Sequence, residues 1–202
     1  MIFAGRSRVR YPYSRYGYTR GNGKIWHGGL DVEGLDSKVI LMPDYKGKAL
    51  SGRVVRARIV TDHSNPTWEW GYYLCVQLDG AQTPDKINFL YFCHCESLRV
   101  QAGDRVKTGD VLGIMGNTGN AALASPPFAH CHLEARATAT GKGLDPTAYA
   151  GVPNAVGTYG ATPAPESGAA LQTYRIGPAS AGDAARIRAL AAELALPCEA
   201  QA

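Results

Sequence analysis

The sequence predicts an all-β protein, a small antiparallel β sandwich or open barrel, and three observations favour this class. Glycine and proline number 24 and 12 among 202 residues, which favours many short elements joined by turns. No long amphipathic helical pattern precedes residue 180. Short runs of β-branched or aromatic residues, bounded by turn residues, recur at positions 54–60, 72–78, 87–95, 111–115 and 130–136.

Local patterns support the individual elements of this sheet. Residues 72–78 are apolar at nearly every position, which indicates a strand that is covered on both faces. Glycine-containing segments at 102–104, 108–110 and 116–119 are typical of tight turns between short strands. We therefore expect the sheet to be built from consecutive antiparallel strands.

The composition divides the chain into three parts. Residues 1–150 are predicted to form the β domain, and residues 151–170 shift to Gly, Pro, Ala, Ser and Thr, as a linker does. In residues 171–202 we predict a strand at 171–176 and then a helix, because Ile187, Leu190, Ala191 and Leu194 recur at helical spacing. A segment of about 30 residues is too small to bury its own core, so this βα tail is expected to be a targeting or pairing module, or a fragment.

The charge is concentrated near the N-terminus. The net charge is +4, and Arg6, Arg8, Arg10, Arg15, Arg20 and Lys24 precede every acidic residue, with four tyrosines among them. Such a basic arm is attracted to polyanions, either nucleic acid or an anionic polymer such as a bacterial cell wall. The alternative is an edge segment whose tyrosines cover a core.

Targeting signals and cysteines indicate a compartment. No apolar run approaches the roughly 20 residues of a membrane span, and the first ten residues contain no apolar region typical of a secretion signal. Five irregularly spaced cysteines are a poor disulfide framework, so we expect synthesis in a reducing cytoplasm. A protein made there would act outside the cell only after release.

Four histidines fall into a pattern that favours a functional site. In a strand over 130–136, His130, His132 and Glu134 share one face, and Cys131 shares the other with two apolar residues. His27 and Asp31 flank two glycines, and a turn that feeds a strand can bring both side chains inward. On regular alternation, His94 lies on the same face as Leu90 and Phe92, with Cys93 and Cys95 facing away from it.

Two imidazoles and one carboxylate form a familiar catalytic zinc set that leaves a fourth position open. Any one of these histidines alone is more often a surface or hydrogen-bonded residue, but the four together with Asp31 favour a site. His63 lies in a turn-rich loop and is predicted to be uninvolved. Cys93, Cys95 and Cys131 are interpreted as packing residues rather than as ligands of a structural zinc.

These motifs resemble those of the lysostaphin-type (LytM-type) zinc peptidases. His27-Gly-Gly-Leu-Asp31 resembles their HxxxD element, and His130-Cys-His132 resembles their HxH element. Segments 92–94, 100–113, 116–119 and 144–146 follow the family's usual order, so the resemblance covers roughly residues 16–150. Phe92 stands where the family often has tyrosine, and segment 120–128 is longer and richer in Ala and Pro than is usual.

The resemblance implies zinc bound by His27, Asp31 and His132, with His94 and His130 as the catalytic pair. It also implies a groove over the metal and peptide substrates in bacterial peptidoglycan, either stem peptides or cross-bridges. With no secretion signal, a phage-type lytic enzyme is expected. The bond cleaved and the oligomeric state stay open.

Three other classes are considered. A non-catalytic relative that binds the cell wall is the main alternative, although such proteins usually lack some of the five site residues. A glucose-type phosphocarrier domain needs only two facing histidines and leaves Asp31 unexplained. A biotinyl or lipoyl carrier is suggested by residues 100–113, but the chain has no Met-Lys signature.

Overall fold

The computed structural model describes residues 1–80 and 82–161, together with Ala184 and Ile187, which are both helical. The chain separates into two units, Met1–Pro163 and Ala164–Ala202, and the description below concerns the first. The predicted strand at 171–176, most of the predicted C-terminal helix and Cys198 lie outside the described residues.

Short strands joined by turns make up almost all of this unit, which confirms the predicted class. Among the described residues of this unit, the one α-helix, α1, spans only Thr147–Ala150. No helix in that part is long and apolar enough to cross a membrane. The strands are β1 Ser7–Val9, β2 Gly17–Arg20, β3 Ile25–His27, β4 Leu30–Gly34, β5 Val39–Leu41, β6 Ser51–Ile59, β7 Tyr72–Leu78, β8 Phe89–Leu98, β9 Arg105–Lys107, β10 Val111–Met115, β11 Cys131–Arg136, β12 Gly143–Leu144 and β13 Gly157–Tyr159.

The main sheet is antiparallel and open. Its strand order is β13-β1-β4-β11-β8-β7-β6-β9, with β10 pairing β5 and β8, and β12 pairing β11. The five runs singled out in the sequence correspond to β6, β7, β8, β10 and β11. Strands β4, β11 and β8 are far apart in the chain but adjacent in the sheet, so they carry their polar side chains to one place.

Both faces of the central strands are covered. Leu74, Leu90 and Leu133 belong to the larger apolar core on one face. Tyr73 and Tyr91 belong to a smaller cluster on the other face, against which Trp70 packs. Because both faces of β7 are buried, the strand is apolar at nearly every position.

A β-bulge in β8 changes the face on which His94 lies. Phe92 pairs with Leu74 and Cys95 pairs with Tyr72, so Cys93 and His94 together oppose the single residue Tyr73. His94 has φ +63°, a left-handed conformation that a side chain seldom adopts and that an inserted residue can require.

The prediction that His94 shares a face with Leu90 and Phe92 is therefore wrong. Phe92 points into the larger core, whereas the His94 ring lies 4.8 Å from the His130 ring on the opposite face. Cys93 does not face away from the site either, since it pairs directly with His132 across the ladder. The other two cysteines in question, Cys95 and Cys131, are core residues as predicted.

Substitution of Leu90 tests the packing of the larger core. Leu90 is fully buried, so Leu90→Ala is expected to lower the free energy of unfolding by about 2–5 kcal/mol through lost burial and a residual cavity. Leu123 is 69% exposed, and Leu123→Ala is expected to change it by no more than about 0.5 kcal/mol. Urea denaturation of both variants measures this difference, and equal losses would contradict the assignment of Leu90 to the core.

Candidate metal centre

Three buried side chains from three strands converge at one point. Asp31 Oδ1 lies 2.7 Å from His132 Nδ1 and 3.2 Å from His27 Nε2, and the two ring nitrogens are 3.0 Å apart. Among the described residues, these three form the group whose ligand atoms lie close enough together to hold a metal ion. They are the three residues for which the sequence predicts metal binding.

The register of the sheet and one glycine bring this group together. Asp31 and His132 are directly paired in the β4–β11 ladder, and directly paired side chains lie on the same face. His27 ends β3, and the turn through Gly28 and Gly29 returns the chain over Asp31. A Cβ atom on Gly29 would lie 2.4 Å from the Leu133 carbonyl oxygen, so only glycine fits this turn.

Each ligand histidine is oriented by its second ring nitrogen. His27 Nδ1 lies 2.8 Å from the Arg15 carbonyl oxygen, which can only accept a hydrogen bond, so Nδ1 carries the proton. His132 Nε2 lies 3.0 Å from Glu134 Oε1 and donates to that carboxylate. These contacts leave His27 Nε2 and His132 Nδ1 as the ring nitrogens that face Asp31.

The donor set fits zinc. Two imidazole nitrogens and a carboxylate are established zinc ligands, and ligand atoms held about 2.0–2.2 Å from a tetrahedral ion are necessarily a little over 3 Å apart. The observed separations of 2.7 to 3.2 Å are close to that requirement. A hydrogen-bonded partner on the far nitrogen of each histidine is also what metal-ligating histidines usually have.

His94 and His130 lie beside this group and are held in a common tautomer. His94 Nδ1 lies 2.9 Å from the Thr118 carbonyl oxygen, and His130 Nδ1 lies 2.9 Å from the Phe128 carbonyl oxygen. Both rings therefore donate from Nδ1 and keep Nε2 as an acceptor. Burial lowers the pKa of His94 to about 3, with nearby His130 and His132 adding to the effect, and burial also lowers the pKa of His130.

The charge of Asp31 is maintained although its carboxylate is buried. Burial alone would raise the pKa of Asp31, but its interactions with His130, His132 and His27 hold that pKa well below its usual range. Arg20 Nη2 lies 3.3 Å from the second carboxylate oxygen. The site therefore keeps a full negative charge where a cation would bind.

Glu134 is a site residue whose role the sequence reasoning missed. Burial disfavours charge on both His132 and Glu134. Hydrogen bonds to Asp31 and Glu134 nevertheless raise the pKa of His132 to about 9, and the hydrogen bond from His132, with the charge of Arg136, lowers the pKa of Glu134 to about 2. Arg136 Nε donates to Glu134 Oε2 at 2.6 Å, and the guanidinium lies over the Tyr91 and Trp70 rings. Alternation along β11 places Glu134 on the face of His132, but only the structure shows this contact.

A groove of about 550 Å³ lies over the site. Phe128 stacks on His130 with 4.2 Å between ring centroids, and it belongs to the unusually long segment 120–128, which thus forms part of the groove wall. The residues that line the groove beside the five site residues include Tyr13, Arg20, Trp26, Glu69, Trp70, Asn120, Ala124 and Phe128.

The basic N-terminal arm is folded against the domain. Arg6 pairs with Asp36, and both Arg8 and Arg10 pair with Glu33. Its tyrosines also pack: Tyr11 stacks on Tyr13, while Tyr16 and Tyr18 contact Trp26. The arm therefore presents less uncompensated charge than the sequence indicates. His63 is exposed, as predicted, and stacks on Trp68 at 4.4 Å.

Comparison with known families gives a match over part of the chain. The model of peptidase family M23 matches residues 49–146. The matched segment begins after His27 and Asp31, so the geometry alone joins these two residues to the others. No curated protein matches the chain.

Solved structures of similar proteins include two catalytic domains and LytU. A mutant catalytic domain of the prophage-encoded M23 protein EnpA from Enterococcus faecalis is 21% identical, with 69% of this chain and 88% of that chain covered and a TM-score of 0.48. The catalytic domain of lysostaphin from Staphylococcus simulans is 20% identical, with 67% and 86% covered and a TM-score of 0.46. LytU is 23% identical, with 70% and 82% covered and a TM-score of 0.47.

The contact between Glu134 and His132 predicts an effect on metal affinity. Glu134→Gln removes the charge that orients His132 and increases its basicity, so zinc affinity is expected to fall by about tenfold. Glu69 lines the same groove without contacting a site histidine in the described structure, and Glu69→Gln is the matched control. Competition titration with a zinc chelator measures both affinities, and equal values for Glu134→Gln and the unmodified protein would refute this role.

Proposed function

We propose that this protein is an M23-family, zinc-dependent endopeptidase that hydrolyses peptide bonds in bacterial peptidoglycan. The observation that carries the proposal is the convergence of His27, Asp31 and His132 beneath a groove that two further histidines line. The family match supports peptidase activity. Peptidoglycan stem peptides or cross-bridges are the proposed substrates.

His27, Asp31 and His132 would hold the zinc ion, which supplies Lewis acidity toward the carbonyl oxygen of the scissile bond when bound. His94 and His130 carry out the proton transfers. Their Nδ1 atoms are committed to backbone carbonyls, so Nε2 is the atom that accepts a proton from water and later donates one to the leaving amine. Burial lowers the pKa of both rings, so both are neutral at neutral pH and keep the lone pair on Nε2.

The groove supports the binding of a peptide in extended form. Trp26 and Trp70 both line it, and their flat rings offer apolar surface against which a peptide backbone and small side chains can pack. Ordering the peptide in this way places one amide bond beside His94 and His130, which is the main requirement for catalysis by proximity.

Replacing the two HxH histidines separately tests the proposed division of roles. His132→Ala should lose both zinc and activity, because it removes a proposed ligand. His130→Ala should keep most of its zinc and lose activity by about 10²–10⁴-fold, because it removes a proton-transfer group. Zinc content is measured by elemental analysis, and activity is measured by chelator-sensitive clearing of purified cell walls.

The outcomes separate the proposed function from its alternatives. Equal zinc loss in both variants would reverse the assignment of roles. Unmodified protein that binds zinc but never cleaves walls or soluble peptides would indicate a non-catalytic wall-binding relative. Unmodified, folded protein that stays metal-free with zinc supplied would overturn the metal centre.

The tail is proposed to act in targeting. Because residues 171–202 are too few to hold a core, their expected role is to bind the cell wall rather than to assist catalysis. Deleting them should lower binding to sedimented cell walls while sparing the cleavage of a small soluble peptide. Unchanged wall binding would contradict the targeting role, and loss of peptide cleavage would indicate that the tail supports the peptidase domain.

A further inference from the structure

A second cavity, of about 340 Å³, lies at the outer end of β6 and β7 and is rich in hydrogen-bond donors. Two arginines from β6, Arg56 and Arg58, line it together with Asn65, Thr67 and Tyr73. Neither guanidinium forms an ion pair with a carboxylate among the residues that the structure describes, and Arg56 contacts only the Tyr91 hydroxyl, at 3.4 Å. In the same part of the chain, six other arginines do form ion pairs: Arg6, Arg8, Arg10, Arg20, Arg105 and Arg136.

The loop beside these arginines offers a hydrogen-bond donor to the cavity, and its acidic side chain is engaged in hydrogen bonds within the loop. Asn65 Oδ1 accepts hydrogen bonds from both Thr67 N and Thr67 Oγ1, each at 2.9 Å, which fixes the amide and leaves its Nδ2 group as the available donor. The carboxylate of Asp62, in the same loop, accepts from Ser64 N and Oγ at 2.9 and 2.7 Å. The chemistry of the cavity therefore suits an anion with several oxygen acceptors.

The register of the sheet relates this cavity to the metal centre. Arg58 pairs with Tyr73, Tyr73 lies opposite the bulge at Cys93 and His94, and Cys93 pairs with His132. These residues form one row across β6, β7, β8 and β11. Three strand spacings of about 4.8 Å separate its ends, so the backbones of Arg58 and His132 are about 14 Å apart.

One pair of aromatic rings separates the cavity from the groove. Trp70 lines the groove and Tyr73 lines the cavity, and their ring centroids lie 5.0 Å apart at an angle of 86°. A chain lying in the groove thus reaches the cavity by passing this pair. A length of about 14 Å corresponds to about four residues of extended peptide.

We propose that Arg56, Arg58 and Asn65 form an anion-binding subsite that holds a carboxylate or phosphate group of the wall polymer. This inference rests on the proposed function and adds a specificity determinant to it. The preferred substrate carries its anionic group about four residues from the bond that is cleaved. The group is either an acidic residue of the wall peptide or a phosphate of an associated wall polymer.

The first experiment compares two fluorescent peptides on the full-length, zinc-loaded protein. The peptides differ only in a glutamate or a glutamine, placed in turn at positions on each side of the cleaved bond. At the fourth position on one side, the glutamate peptide is expected to bind about fivefold to tenfold more tightly, as a partly exposed guanidinium pair allows. Fluorescence anisotropy measures the dissociation constants, with chromatography confirming that the peptide is intact.

Two variants localise the effect. Arg58→Gln should abolish the preference for glutamate and leave binding of the glutamine peptide unchanged. Arg53 lies on the same strand, is exposed and donates to the Gly103 carbonyl oxygen at 2.9 Å, so Arg53→Gln removes the same charge outside the cavity. Arg53→Gln should keep the preference for glutamate. Equal losses of this preference in the two variants would mean that only long-range charge is involved and would overturn the subsite.

A second ligand distinguishes the two sources of the anion. The subsite would be assigned to a wall-polymer phosphate by two results together. An oligomer of glycerol phosphate would bind the unmodified protein more tightly than the Arg58→Gln variant, and the unmodified protein would show no preference for the glutamate peptide. Failure of Arg58→Gln to change the binding of either ligand would overturn the subsite. A glutamate preference in binding without any peptide cleavage would retain the subsite and reject the proposed function.

Discussion

The site depends on one buried charge. Asp31 is 1% exposed, and an isolated carboxylate in such surroundings would be strongly destabilising. Its cost is offset by the ring nitrogens of His27 and His132 and by the guanidinium of Arg20. A divalent cation held between the same three side chains would add further compensation for this charge. The architecture around Asp31 is thus that of a cation site.

The strand order of the sheet, rather than residues close to Asp31 in the chain, positions this charge. Asp31 and His132 come from strands that are distant in sequence but directly paired, and β8 adds His94 from the other side of β11. Backbone carbonyls of Arg15, Thr118 and Phe128 then fix the tautomers of three histidines. Because rigid backbone groups set the rings, the proton-accepting nitrogens are oriented before a substrate binds.

Much of the fold and of the candidate site could be predicted from periodicity and residue type. Alternation places His132 and Glu134 on the same face, and the turn at Gly28 and Gly29 accounts for the approach of His27 to Asp31. The antiparallel, all-β class also follows from the short β-branched runs. In each case the information lies within a few neighbouring residues.

The features that were missed depend on partners far away in the chain. The ion pairs of Arg8 and Arg10 with Glu33 require the β1–β4 ladder, so a charge count overstates the basic character of the arm. The orientation of His94 requires knowledge of its register against β7, because a bulge leaves no clear mark on the local pattern.

The bulge in β8 also means that spacing, and not only residue identity, is part of the site. With one residue fewer between Phe92 and Cys95, the ladder against β7 could become regular, and the larger core could pack unchanged. The one residue left between them would then take the position of Cys93, directly opposite His132, instead of the bulged position from which the His94 ring reaches His130. Chain length at this point thus sets where the imidazole lies along the groove, and a relative that kept the histidine but lacked the inserted residue would carry it at a different place in the ladder.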